Sequence, residues 1–199
     1  MKTKAALLIV ALSLGVFAAT LVHAVWYAPD IQVSDSSSAI ATTTPATLAA
    51  NSTEYPSRLQ IPKLQVDANV QKAGIAKSGN IAVPSNFTDV AWYKYGSLPG
   101  QAGSAVMDGH VDNALSLPGV FKHLGTLAKG DNIYVQTVGG TQLHFVVSDV
   151  EIYPVADVPM TDITRTVGPP RLVLITCDGA WVQSQKMYDQ RLVVYASLV

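Results

Sequence analysis

The 199-residue chain has a single cysteine, Cys177, and little charge of either sign. One cysteine excludes an intramolecular disulfide and any zinc site built from several thiolates. Charged residues make up 14% of the sequence, the formal net charge is −1, and lysine and arginine form no cluster. Because proteins bind nucleic acid through a basic surface, the sequence predicts no nucleic-acid partner. It also has no internal repeat, which excludes a repeat architecture.

The amino terminus carries an uncharged, mainly apolar stretch over residues 5–27, preceded by Lys2 and Lys4. At about 1.5 Å per residue, a helix of that length crosses a bilayer core of roughly 30 Å. Trp26 and Tyr27 end the stretch, where aromatic side chains favour the membrane interface. The lysines favour an inside amino terminus and an outside carboxy terminus. We expect residues 1–27 to be an uncleaved membrane anchor; the alternative is a cleaved signal peptide.

Residues 28–57 have the composition of a linker. Within them, residues 34–53 are almost entirely Ser, Thr, Ala, Asn and Pro, and residues 28–57 contain no lysine or arginine. Such a segment has little apolar surface to bury, so we expect a disordered tether. Thirty flexible residues span about 30 Å. The folded part is therefore expected to work outside the cytoplasm, close to the membrane.

Residues 58–199 are predicted to form the folded domain. Short runs rich in Val, Ile, Leu and Tyr alternate with turn residues, which predicts about eight short strands and little helix. Residues 132–138 and 142–150 read as a hairpin around Gly139-Gly140. Residues 58–66 read as one strand with an edge or bulge at Pro62, residues 87–95 as a short helix or turn, and residues 156–170 as a long loop. The pattern is typical of a mainly β, closed eight-stranded barrel.

Cys177 ends the apolar run of residues 171–177 and is followed at once by Asp178-Gly179. We read this run as a buried strand and the Asp-Gly pair as the start of a loop. A thiol there would be held by the scaffold and open to substrate. An isolated cysteine is also commonly a small apolar core residue, so the nucleophile hypothesis needs partners.

A cysteine nucleophile needs a base or an imidazolium as its partner, and often a group that holds the developing oxyanion, for which an arginine is suitable. His110 follows a short strand and Gly109, a position from which a side chain reaches a site, whereas His23 lies in the apolar stretch and His123 and His144 fit surface positions. Arg191 opens the strand after the cysteine strand. If those strands pair antiparallel, Arg191 lies beside Cys177. Arg171 starts the cysteine strand, about 20 Å away at 3.3 Å per residue.

These residues carry a family resemblance. The sequence Gly-His-Val-Asp at 109–112, Leu-Ile-Thr-Cys at 174–177 and Arg191 occur in the order and spacing of the sortases, the membrane-anchored cysteine transpeptidases of bacterial cell surfaces. The early Arg-Leu-Gln-Ile-Pro and the late Val-Val-Tyr-Ala look most similar to class F sortases. The resemblance covers residues 58–199, and the anchor and linker match the family layout. It implies a sortase-like β-barrel preceded by an N-terminal transmembrane helix.

The resemblance also implies a reaction. Cys177 would attack the Thr–Gly bond of an LPxTG-like sorting signal, and an amine from a cell-wall precursor or a pilin lysine would then take the acyl group. His110 would be the acid and base, Arg191 would hold carbonyl oxygens, and Thr176 would add a hydroxyl to the same oxygen or face the core. No metal and no cofactor are expected. The expected location is the bacterial cell membrane, single-pass, with the catalytic domain extracellular.

Other functions fit part of the pattern. A hydrolytic cysteine peptidase would use the same Cys and His. An L,D-transpeptidase would require a Ser-His-Gly-Cys stretch, which is absent. A membrane-tethered β-barrel that binds peptides without catalysis would keep Cys177 buried.

Overall fold

The computed structural model describes residues 54–199. The predicted membrane anchor, and the predicted linker as far as residue 53, lie outside the described residues. Within residues 54–199, no helix has the length and hydrophobicity needed to span a bilayer. The first strand begins at Pro56, two residues before the predicted start of the folded domain at Arg58.

Eight strands form one closed barrel. They are β1 (Pro56–Ile61), β2 (Val66–Ala73), β3 (Val90–Tyr93), β4 (Ser104–Asp108), β5 (Asn132–Thr137), β6 (Gln142–Pro154), β7 (Arg171–Val182) and β8 (Met187–Leu198). Their order around the barrel is β1-β2-β3-β4-β7-β8-β6-β5, and β5 closes on β1. The pairs β2–β3 and β4–β7 are parallel, and the other pairs are antiparallel. The predicted mainly β, eight-stranded closed barrel is confirmed.

Helical structure in the described part of the chain is short. Single 3-10 turns occupy Pro62–Leu64, Leu124–Thr126 and Val155–Asp157, and α1 (Met160–Ile163) is one turn long. The predicted hairpin around Gly139-Gly140 is present as β5 and β6.

Alternate residues of β7 and β8 fill the barrel interior. Leu172 and Leu174 of β7 and Leu192 and Val194 of β8 pack there with the rest of the main apolar core. Side chains in a strand point to opposite faces in turn, so the residues between them must face outward. Each fully buried leucine contributes about 2 kcal/mol of transfer free energy.

The outward residues of β4, β7 and β8 form a second apolar cluster, which α1 covers. Its buried members are Val106, Ile163, Val173, Ile175, Val193 and Tyr195. The guanidinium of Arg171 donates to the hydroxyl of Ser104 at 2.8 Å and to the carboxylate of Asp162 at 2.9 Å. These bonds fasten residues 156–170 along the outer face of the barrel.

Two local predictions were wrong. Residues 58–66 are not one strand, because β1 ends at Ile61 and a 3-10 turn separates it from β2. Pro62 has no N–H for the ladder, so the strand stops there. Residues 87–95 contain β3 in place of a helix, because Val90–Tyr93 pairs in parallel with β2 and Trp92 enters the core.

Candidate active site

Cys177 lies within β7, five residues before its end. The expectation that a loop begins directly after it was wrong. The chain does not turn at Asp178-Gly179. The register between β7 and β8 shifts there, and their pairing resumes with Trp181 opposite Tyr188. Gly179 has φ +83°, and a Cβ there would collide with the carboxylate of Asp189. Glycine therefore lets the hairpin bend and continue beyond the thiol.

Arg191 is the direct partner of Cys177 across the β7–β8 pair. The antiparallel pairing predicted from the sequence is therefore confirmed. Directly opposite residues of antiparallel strands have Cβ atoms about 5 Å apart on one face. Cys177 and Arg191 consequently share the outward face that also carries Ile175 and Val193.

His110 reaches the same place through the parallel pairing of β4 with β7. Asp108 is opposite Ile175, and the N–H of Gly109 still donates to the carbonyl of Ile175 at 3.2 Å. Because the two strands run in the same direction, His110 and Cys177 each lie two residues beyond that matched pair. The predicted histidine thus lies in the loop directly after β4, the cysteine in β7 and the arginine in β8, and β7 is the middle one of these three adjacent strands.

Gly109 explains why the histidine loop can lie so close to the barrel. A Cβ at this position would be 2.5 Å from the ring of Phe121, which is fully buried. No side chain fits there without moving that ring. The glycine therefore allows the chain to turn over Phe121 and present His110 at the surface.

The imidazole of His110 is held on one side by the segment before β3. Its Nε2 donates to the carbonyl of Pro84 at 3.1 Å, and its ring lies 4.7 Å from the ring of Phe87. Since a carbonyl oxygen only accepts, Nε2 carries a hydrogen and Nδ1 is left to exchange a proton. No hydrogen bond within residues 54–199 joins this ring to the sulfur of Cys177.

Burial dominates the protonation of both groups. It raises the pKa of the Cys177 thiol; the charge of Arg191 acts to lower that pKa, and Asp108 and Asp112 add to the rise. Burial lowers the pKa of His110, against the Pro84 hydrogen bond and the charge of Asp112. At neutral pH the predominant form is therefore a neutral thiol beside a neutral imidazole, and the thiolate–imidazolium pair is a minor form.

The guanidinium of Arg191 is anchored and still has free donors. Its Nη1 donates to the backbone carbonyls of Tyr188 at 3.1 Å and Gln190 at 2.8 Å. Nε and Nη2 have no hydrogen-bond partner among the described residues. A fixed fork with unused N–H groups can hold a carbonyl oxygen or an oxyanion.

Thr176 has a different environment from the one proposed for a substrate-binding residue. It is 2% exposed, and its hydroxyl donates to the carbonyl of Gly109 at 2.7 Å. Its single hydrogen is therefore engaged in joining β7 to the start of the histidine loop. The geometry supports the core-facing alternative for Thr176, and its predicted contact with substrate stays a prediction.

A cleft of about 340 Å³ opens beside Cys177. The loop over residues 121–126, which includes exposed His123, lines it together with Val150 and Ile152 of β6. His144, the other histidine in the described chain, is on the far side of the barrel, where its ring stacks on Tyr134 at 4.7 Å. A small molecule or a peptide end can therefore approach the thiol from this side.

Sequence reasoning did not identify Asp108 and Tyr188 as residues of the site, and it named Asp112 only as part of the Gly-His-Val-Asp motif, without a role. Asp108 ends β4 on the outward face, and burial raises its pKa to about 8 although Arg191 acts to lower it. The hydroxyl of Tyr188 donates to the carboxylate of Asp112. Alternation along β4 was a usable signal for Asp108. No signal in the sequence pairs Tyr188 with Asp112, which lie 76 positions apart.

The group of side chains fits acyl transfer. A half-buried thiol can act as the nucleophile, an adjacent imidazole can exchange protons, and a fixed guanidinium can stabilise charge that develops on oxygen. Within residues 54–199, Cys177 is the one side chain with a thiol.

Comparison with known proteins agrees with this chemistry. A family model described as the Sortase domain matches residues 59–199. Sortase C-1 from Actinomyces oris is 25% identical with a TM-score of 0.54, and the match covers 71% of this chain and 72% of that one. SortaseC1 from Streptococcus suis is 20% identical with a TM-score of 0.56, covering 73% of each chain. A sortase D5 transpeptidase from Clostridium perfringens is 17% identical with a TM-score of 0.53, covering 73% and 79%.

No curated protein matches the chain significantly. The structures below 25% identity share the fold alone, and the similarity to class F sortases stays a prediction. The family model covers most of the chain, and its span includes His110, Cys177 and Arg191. The chain therefore belongs to the sortase family of cysteine transpeptidases.

Proposed function

We propose that the protein cleaves an LPxTG-like sorting signal between Thr and Gly and transfers the acyl part to an amine through a thioester on Cys177. The observation that carries this proposal is the register of three strands. Two pairings support it: β4, which the His110 loop follows, pairs with β7 on one side, and Arg191 of β8 is opposite Cys177 on the other. That order supports a nucleophile between a proton carrier and an oxyanion donor.

The first step forms the thioester. The Cys177 thiolate attacks the threonine carbonyl carbon, a carbon–sulfur bond forms, and the carbonyl oxygen becomes an oxyanion. When the oxyanion collapses, the carbon–nitrogen bond breaks and the imidazolium of His110 gives its proton to the departing glycine amine. The unused N–H groups of Arg191 stabilise the oxyanion.

The second step reverses the roles. The acceptor amine attacks the thioester carbon, His110 removes the proton from its nitrogen, and the sulfur of Cys177 leaves as a thiolate. The products are a new amide bond and the free enzyme. The acceptor is an amine of a cell-wall precursor or of a pilin lysine.

The protonation states limit the fraction of active enzyme. Burial raises the pKa of Cys177 and lowers that of His110, so the thiolate–imidazolium pair is rare at neutral pH. Activity is then nearly level between the two pKa values and falls on either side. The rare pair is strongly nucleophilic, because its thiol has a high pKa.

The substrate groove follows the outer face of the barrel. The residues that precede Cys177 outward on β7 are apolar, and the segment 156–170 lies beside them with Ile163 buried against Val173 and Ile175. This segment forms one wall for the signal.

The amino-terminal segment holds the domain at the outer surface of the bacterial cell membrane. The hydrophobic stretch at residues 5–27 and the linker after it support this assignment. Protein substrates anchored in the same membrane would meet the enzyme at a raised effective concentration, with no additional contact needed.

The test is a transfer assay with the full chain in non-ionic detergent. An LPxTG peptide is mixed with candidate amines, including glycine and hydroxylamine, and the products are identified by mass spectrometry. We expect an amide or hydroxamate at the threonine carbonyl, abolished in Cys177→Ala and in His110→Gln. His144→Gln is the matched control, since that histidine is on the far side of the barrel and should leave the rate unchanged.

Each of three results would contradict the proposed transpeptidase function. Hydrolysis with no transfer to any amine indicates a cysteine peptidase. Peptide binding without cleavage, together with a thiol that does not react with iodoacetamide in the folded protein, indicates a binding module. Cleavage that persists in Cys177→Ala removes the thioester mechanism.

A further inference from the structure

One hydrogen bond links the loop that carries His110 to the strand that carries Arg191. The hydroxyl of Tyr188 on β8 lies 2.9 and 2.8 Å from the two carboxylate oxygens of Asp112. Asp112 comes two residues after His110, and Tyr188 comes three residues before Arg191. The side chain of Asp112 is 12% exposed, so water competes little with this contact.

Within residues 54–199, no other hydrogen bond or ion pair joins this loop to β8. On its inner side, the N–H of Phe121 donates to the carbonyl of His110 at 3.0 Å, and Asp112 bridges to Pro118. Those bonds lie within the loop. Toward the segment before β3, the His110 ring is held by Pro84. The start of the loop is tied to β7 through Gly109, which bonds to Ile175 and Thr176, and the Asp112–Tyr188 bond ties the part beyond His110 to β8.

Tyr188 is fixed on its other sides. Its ring meets that of Trp181 edge to face, with centroids 5.4 Å apart, and its carbonyl accepts from Nη1 of Arg191. A continuous set of contacts thus runs from the histidine loop through Asp112 and Tyr188 to Arg191, which faces Cys177 across the ladder.

The charge of Asp112 also acts on both members of the proton-transfer pair. It raises the pKa of His110 and the pKa of Cys177. The cation nearest to Asp112 is Lys122, whose Nζ is 3.4 Å from the carboxylate and whose side chain is 38% exposed. The neutral hydroxyl of Tyr188 also donates to this carboxylate. The other titratable groups that act on Cys177 are Arg191, which is charged throughout, and Asp108, which becomes charged only as the pH rises through about 8.

We propose that Asp112 and Tyr188 form a positioning pair, which holds the His110 loop at its working distance from Arg191 and Cys177 and sets the pH range of the reaction. The positioning depends on the hydroxyl. The pH range depends on the carboxylate charge. Both parts build on the proposed transpeptidase function, and each is tested by a different variant.

Tyr188→Phe removes the hydroxyl and keeps the ring that packs on Trp181. We expect kcat for transfer to fall about tenfold, with KM within about twofold, because the pair touches no substrate. The pH limits of activity stay where they are. Tyr134→Phe is the matched control, since its ring lies against His144 away from the site, and it keeps the wild-type kcat.

Asp112→Asn removes the charge and keeps an oxygen that accepts from Tyr188. We expect both limbs of the bell-shaped pH profile to move to lower pH, by about half a unit to one unit. A shift of both limbs in the same direction is the signature of the lost charge. A substitution that only disturbed the structure would lower the maximum rate and leave the pH of both limbs unchanged. Asp112→Glu, which restores the charge, returns the limbs toward their wild-type positions.

Two measurements do not need turnover, so they separate this proposal from the proposed function. The imidazole of His110 is titrated by NMR and the thiol of Cys177 by its rate of reaction with iodoacetamide, each in wild type and Asp112→Asn. Both midpoints should fall. Unmoved midpoints together with a wild-type kcat in Tyr188→Phe would overturn the proposal. Absence of transfer in the wild type, with both midpoints shifted, would refute the transpeptidase function alone.

Discussion

Asp108 should make the protein less stable as the pH rises from 4 to 8. Burial raises its pKa to about 8, and the positive charge of Arg191 acts in the opposite direction. In the unfolded chain an aspartate ionises at about pH 3.9. Above that pH the unfolded state releases a proton that the folded state still holds, so unfolding becomes more favourable at each step in pH. Above pH 8 both states are ionised and the loss is complete.

The size of the effect follows from the difference in pKa. Each unit corresponds to about 1.4 kcal/mol, and about three units separate the unfolded pKa from pH 7. Without solvent screening, ionisation of Asp108 would therefore lower the free energy of unfolding by about 4 kcal/mol at neutral pH. Asp108 keeps part of its surface in water. Solvent screening therefore reduces the expected loss of stability to on the order of 2–3 kcal/mol. Asp108→Asn removes the titrating group and should raise the free energy of unfolding by that amount at pH 7 and hardly at all at pH 4.

The assay is urea unfolding of the full chain in non-ionic detergent at several pH values between 4 and 8. Wild type and Asp108→Asn are compared with Asp157→Asn, in which an exposed aspartate is changed. The difference between wild type and Asp108→Asn should widen with pH, while Asp157→Asn stays parallel to wild type. A constant difference across the range would show that Asp108 is ionised in the folded protein and refute the reasoning.

Three further outcomes are expected. Arg191→Lys should lower kcat/KM for transfer about a hundredfold, because an ammonium lacks the planar fork of donors; near-normal kinetics would make Arg191 structural. Thr176→Val should lose about 1–2 kcal/mol in urea unfolding, because it leaves the buried carbonyl of Gly109 without its donor; unchanged stability would contradict that role. Iodoacetamide should react with Cys177 with a midpoint pH above that of a free cysteine, since burial raises its pKa, and Arg191→Met should move it higher; a midpoint below that of free cysteine would contradict the assignment.

The pairing of Cys177 with Arg191 was predictable because it is local. Thirteen residues separate the two, both lie in β-rich runs, and a hairpin is the simplest connection. The details of that hairpin were not predictable. Asp178-Gly179 reads as a turn, but its φ of +83° at Gly179 also suits a shift within a continuing ladder. The choice depends on the opposing strand, which holds the Asp189 carboxylate against the N–H of Ala180.

The strand β3 shows why a short element is hard to predict. Val90–Tyr93 has four residues, too few for a period to be visible, and its aromatic neighbours suit a helix or a turn equally well. Its extended form depends on a parallel partner twenty residues earlier, Val70, and on the barrel interior that accepts Trp92. Neither is encoded within the stretch itself.

The sequence by itself determined the fold class and the chemical groups. Alternation of apolar residues specifies strands, their number specifies a barrel, and a single thiol with one well-placed histidine and one arginine limits the chemistry to a few reactions. These features are local or compositional. Only the tertiary structure decided that the parallel β4–β7 pairing leads the His110 loop toward Cys177, that Asp108 is partly buried, and that Tyr188 holds Asp112. Contacts between distant positions depend on strand order around the closed barrel, and burial depends on what covers each face, so no single stretch of residues contains either.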